Sequence, residues 1–131
     1  MHEMNDDMKR CIEECLNCYQ VCRHEAMSHC LETGGKHLEP THFRLMTNCA
    51  EMCRTSADFM LTGSPLHART CAVCAEVCEA CAQSCEEVGD MDECVEACRR
   101  CAASCKAMSG STQGQSSMQG TQRQAAQKAP M

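Results

Sequence analysis

The spacing Cys-x3-Cys-x2-Cys-x3-Cys recurs at Cys11, Cys15, Cys18, Cys22, at Cys74, Cys78, Cys81, Cys85, and at Cys94, Cys98, Cys101, Cys105. Steps of four, three and four residues at about 100° each bring four sulfurs within about 60° of one another around a helix axis. A helix with this spacing carries a sulfur stripe where an ordinary bundle helix carries Leu, Ile and Val. Cysteine has taken the place of the hydrophobic seam, so the stripe must turn inward.

Sixteen cysteines in 131 residues leave two broad readings, a disulfide scaffold or a metal protein. Disulfide scaffolds are loop-rich, and their cysteines sit where turns bring strands together. Here the cysteines keep helical period within runs of good helix formers. Cysteines three or four apart on one helix have Cβ atoms about 5–6 Å apart, against a disulfide optimum of about 3.8 Å. Free thiols are therefore expected. The amino-terminal stretch lacks a basic region followed by an apolar core, which predicts a cytoplasmic protein whose thiols stay reduced. No run of about 18 apolar residues is present, so no membrane span is expected. A net charge of −6, scattered Lys and Arg, and only one Tyr and two Phe argue against nucleic acid as a partner.

The pattern divides into four helices. Asn5, Asp6 and Asp7 favour a start, and helical period runs to about Thr33 before Gly34-Gly35. After Pro40, Thr41 is placed to cap a second helix ending near Thr62, with Gly63 as its left-handed stop. Its stripe, Met46, Cys49, Cys53, Ser56, Met60, holds only two sulfhydryls. Ser64-Pro65 predicts a third helix to about Val88, and Asp90 with Glu93 resembles a capping box for a fourth, ending before Gly110. Short connections imply an all-α, antiparallel up-down-up-down four-helix bundle with a Cys-lined core over residues 1–108. From Ser109 to residue 131 the Gly/Ser/Gln-rich composition predicts a disordered tail.

Antiparallel order gathers Met4, Met8, Met60, His67 and Met108 at one end, which is read as the mouth because thioether and imidazole bind a soft ion without deprotonation. Cys30, Leu38, Phe43, Met46, Val88 and Met91 gather at the other, read as an apolar plug. His24, His29, His37 and His42 lie near a turn or a helix end and are expected in solvent.

Buried thiols resist ionisation, so an empty core should be largely protonated and should exchange protons for cations on loading. Zinc prefers closed four-ligand sites, which a continuous stripe is expected to offer rarely. A soft monovalent ion, Cu(I), suits thiolates and neutralises one thiolate each. If each ion takes two sulfurs and each sulfur bridges two ions, capacity approaches roughly one ion per cysteine.

Three copies of the spacing, on four expected helices, closely resemble the cytosolic branch of the copper storage proteins, over about Met4 to Met108. The resemblance implies Cu(I) as cargo, homotetramers of bundles, and uptake at one end through His, Met and outer Cys residues. The ligand set would be Cys11, Cys15, Cys18, Cys22, Cys30, Cys49, Cys53, Cys71, Cys74, Cys78, Cys81, Cys85, Cys94, Cys98, Cys101 and Cys105 with Met60, His67 and Met108. The Cys-poor second helix and the added tail depart from it. Two other readings remain: a zinc or mixed soft-metal reservoir, and a thiol redox protein using a Cys-x2-Cys pair. The redox motif normally works at one exposed helix start beside a βαβ pattern, which is missing. No catalytic constellation is legible, and a client for released copper has no signature in the chain.

Overall fold

The computed structural model describes residues 4–116, with side chains to residue 110. The first rod starts as α1, Asp6–Glu25, where Asn5 Oδ1 accepts a hydrogen bond from the Met8 N–H at 2.7 Å. It continues through a π turn, Ala26–Cys30, and a last turn, Leu31–Thr33. That π turn solves a phase problem. Eight residues of regular helix would leave Cys30 about 80° away from Cys22 around the axis, and the wider i→i+5 turn unwinds the difference. Cys30 ends fully buried. Gly34 and Gly35, at φ 70° and 57°, then reverse the chain into a 3-10 turn, Gly35–Leu38.

Helix α2 spans Pro40–Leu61. Its cap is Glu39 rather than Thr41: the Glu39 carboxylate accepts from the His42 N–H at 2.9 Å, and Pro40 occupies the first turn, where a missing N–H costs nothing. Helix α3 covers His67–Val88, two residues later than Ser64-Pro65 suggested, because Ser64 Oγ and the Ser64 carbonyl fold the intervening residues into a turn with Leu66 and His67.

Helix α4 spans Asp92–Ser116. The expected capping box is not used. Asp90 lies outside the helix at φ 59°, and the first carbonyl to accept is that of Met91, from Val95. At the other end, Gly110 keeps a helical conformation rather than stopping the chain; glycine costs a helix about 1 kcal/mol, which is not enough to end one. The segment 109–116 is thus helix where a disordered tail was expected, and the rest of that tail, 117–131, lies outside the described residues.

The four helices form the expected ring, α1 against α2 and α4, α3 against α2 and α4. Small residues beside the stripes, Ala50, Ala57, Ala75, Ala82, Ala97 and Ala102, are all buried and let the helices approach closely. All sixteen cysteines have 0 % exposure and all are free thiols. Among the described residues no helix is long and apolar enough to cross a membrane.

Candidate metal centre

Sulfur meets sulfur across every helix pair of the bundle. Cys15 and Cys105 approach to 3.5 Å between α1 and α4, Cys53 and Cys78 to 3.5 Å between α2 and α3, and Cys22 and Cys98 to 3.6 Å. Across the diagonal, Cys53 and Cys101 lie 3.7 Å apart, as do Cys49 and Cys98. These contacts build four groups whose sulfurs all lie within 4.8 Å of one another: Cys15, Cys74, Cys101, Cys105; Cys53, Cys74, Cys78, Cys101; Cys18, Cys49, Cys53, Cys78; and Cys18, Cys22, Cys49, Cys98. Four-sulfur pockets are therefore present, where the stripe pattern predicted few.

Each group shares two sulfurs with the next. At most two of them can be filled as separate closed sites, so discrete tetrahedral zinc would leave eight of the sixteen sulfurs unused. Four thiolates around Zn²⁺ would also leave two uncompensated negative charges in a dry core, which is costly. Shared edges suit an ion that accepts bridging thiolates and balances one charge each. The lattice ends at a triad, Cys11, Cys71, Cys105.

Burial raises the thiols: Cys30, where desolvation dominates, is pushed up to about 11. Inside the lattice a shared proton sets the direction. Cys105 is raised, first through its bond with Cys101, and Cys101 is lowered, first through the same bond, so the proton rests on Cys105. An empty core at neutral pH is a network of S–H···S contacts.

Thioethers close both ends. At the methionine end Cys71 Sγ lies 3.8 Å from Met60 Sδ and 3.5 Å from Ser56 Oγ, and Met60 and Met108 are buried. Met8 is half-buried and Met4 exposed. His67 is half-buried there, its Nδ1 2.9 Å from the Ser64 carbonyl oxygen. At the opposite end Met46 Sδ receives both Cys85, at 3.5 Å, and Cys81, at 3.7 Å, and Met91 Sδ lies 4.0 Å from Cys30.

That opposite end is not the apolar plug it resembled, and its histidines are not all in solvent. His42 is 1 % and His37 5 % exposed, and the Nε2 atoms of both, with that of His29, are buried without a hydrogen-bond partner. His42 Nδ1 lies 2.8 Å from Ser84 Oγ, and desolvation lowers its pKa, so the ring is neutral at pH 7 with Nε2 uncommitted. The signal was in the sequence: His42 stands four residues before Met46 and extends the α2 stripe of Met46, Cys49, Cys53, Ser56 and Met60 by one step. His37 had no such signal, since a 3-10 turn carries it inward.

With this geometry in hand, the comparisons are specific. A family described as copper storage protein matches residues 4–110. The crystal structure of the Nmul_A1745 protein from Nitrosospira multiformis shares 51% identity and a TM-score of 0.80, covering 82% of this chain and 98% of that one. The Cu(I)-bound copper storage protein BsCsp3 shares 34% identity with a TM-score of 0.73 over 79% of this chain and 99% of its own. An uncharacterized cysteine-rich protein, YhjQ, of Bacillus subtilis is 34% identical over 82 residues, 63% of this chain and 75% of its own length. A sulfur-lined four-helix tube matched along its whole described bundle by one family leaves a single assignment: the chain belongs to the copper storage protein family.

Proposed function

We propose that this protein stores Cu(I) by exchanging the protons of its sixteen buried thiols for cuprous ions, at roughly one ion per cysteine when full. The edge-sharing of the four-sulfur groups carries this reading. An ion in one group already touches the sulfurs of the next, so filling spreads along the tube while the core stays close to neutral. The ligands are the sixteen cysteines, with Met60, His67 and Met108 as neutral donors at the methionine end.

Uptake is assigned to the histidine end. There a neutral imidazole, His42, stands on the same stripe as Met46, whose sulfur touches two thiols. A soft ion can pass from nitrogen to thioether to thiolate and release a proton only at the last step. The protein acts as a cytoplasmic copper buffer in a homotetramer, as the likeness to its family suggests, and feeds a client that the chain does not name.

Anaerobic titration with Cu(I) against a chelator of known cuprous affinity tests the reading. Thiolate-to-metal absorption should rise to roughly one equivalent per cysteine. Saturation at two ions, one for each separate closed group, would sink storage and favour the zinc-type reservoir.

A further inference from the structure

Outside the thiol tube, three segments meet at the histidine end: the π turn carrying His29, the 3-10 turn carrying His37, and the α3–α4 turn carrying Asp90. His29 Nε2 lies 3.5 Å from Asp90 Oδ2, yet it makes no hydrogen bond. Its other nitrogen, Nδ1, is 3.4 Å from Thr33 Oγ1. In the tautomer that donates Nδ1–H to Thr33, Nε2 turns a lone pair towards a carboxylate oxygen, and a cation between these two acceptors satisfies both. Two ligand atoms about 2.0–2.1 Å from one tetrahedral metal stand about 3.3–3.5 Å apart, which matches the observed separation.

The third group is independent of the first two. His37 packs edge-on against His29, ring centroids 5.0 Å apart at 84°, and its Nε2 is buried without a partner in a side chain that is 5 % exposed. A buried bare nitrogen is costly unless something binds it. Two imidazoles and a carboxylate are a nitrogen and oxygen donor set, suited to a borderline divalent ion and unlike the all-sulfur tube.

The geometry points to a second metal site, made by His29, His37 and Asp90, that takes a divalent first-row ion of the zinc type and leaves one position to water. His29 and Asp90 stand at ligand spacing, whereas the His37 nitrogen does not lie within 4.8 Å of both and joins the ion only if its side chain rotates. Such an ion ties the α1–α2 connection to the α3–α4 turn over the histidine end. The site does not depend on what fills the thiols.

The test reads the imidazole nitrogens themselves. Zinc is added to the full chain after its thiols have been filled with Cu(I), and the 15N resonances of the histidines are followed. A chain that takes up too little Cu(I) fails the storage reading alone, and the zinc experiment is then run on the empty chain with zinc in excess over its thiols. His29 and His37 Nε2 should shift together at about one further equivalent, with no copper lost. Asp90→Asn, at an exposed side chain that leaves the fold intact, should weaken this zinc binding at least about tenfold, as should His29→Ala, while His24→Ala should leave it unchanged. Unmoved His29 and His37 resonances in excess zinc, or equal affinity in Asp90→Asn, overturn the site.

Discussion

The tube has two unlike regions. Twelve of the sulfurs fall into shared groups of three and four; Cys30, Cys81, Cys85 and Cys94 belong to none of them, and of these Cys30 contacts Met91 while Cys81 and Cys85 contact Met46. The first region has many equivalent donors at 3.5–4.0 Å, so no single sulfur matters much and ions can share. The second has few donors of three different kinds, so each one matters. Capacity is a property of the crowded region and access a property of the sparse one.

The sharpest way to break that contrast is to empty the crowded region. Replacing Cys18, Cys49, Cys53 and Cys78 together by Ser removes one complete group and half of each of its two neighbours. Titration should show capacity falling by more than four ions, that is by more than one ion for each sulfur removed. Cys30→Ser should lose about one ion, because Cys30 shares no group. Equal losses per sulfur in both variants would mean that the groups do not cooperate.

Protonation separates the regions by pH. Cys30 rises from an ordinary thiol value of 9.0 to about 11 on folding, so its contribution to stability is fully present below pH 9 and lost as pH rises through 11. The melting temperature of the empty protein should hold from pH 7 to about 9 and fall between about 9 and 11. Filled with Cu(I), the thiolates carry no exchangeable proton, and the fall should vanish. At fixed pH, each ion bound should release about one proton, read as acidification of a weak buffer.

His42 tests the sparse region. His42→Leu keeps most of the volume and removes Nε2. Stopped-flow absorbance should show uptake slowed severalfold, with the final count changed by at most one ion. Slowed uptake in Met60→Leu instead would return the mouth to the methionine end.

These two regions were not equally legible in the sequence. The crowded region follows from period alone: a four-three-four spacing fixes a stripe, antiparallel order fixes which stripes meet, and the groups result. Period cannot say that sulfurs from four helices will share edges, because that depends on helix separation, set by the small flanking residues such as Ala75 and Ala97. The sparse region depends on turns. Cys30 is on the stripe only because of a π turn, His37 is inside only because Gly34 and Gly35 reverse the chain, and Asp90 faces His29 only because it leaves the helix at a positive φ. Each is a local departure from regular helix, invisible to an argument from regular helices.

The smallest expected effect sets the two ends side by side through their caps. Asn5 opens α1 at the methionine end and Glu39 opens α2 at the histidine end, each accepting a backbone N–H three residues on. Asn5→Ala should cost about 1 kcal/mol by loss of a cap, read as a small drop in melting temperature, with copper kinetics unchanged, since the first turn of α1 carries none of the cysteines. Glu39→Ala frays a turn that holds His42 by its own N–H. Its melting temperature should also move little, yet its uptake rate should fall in the direction of His42→Leu. If both caps leave uptake untouched, His42 is positioned by Ser84 and by packing alone; if both slow it, copper has a path at each end and the division of labour between the two regions fails.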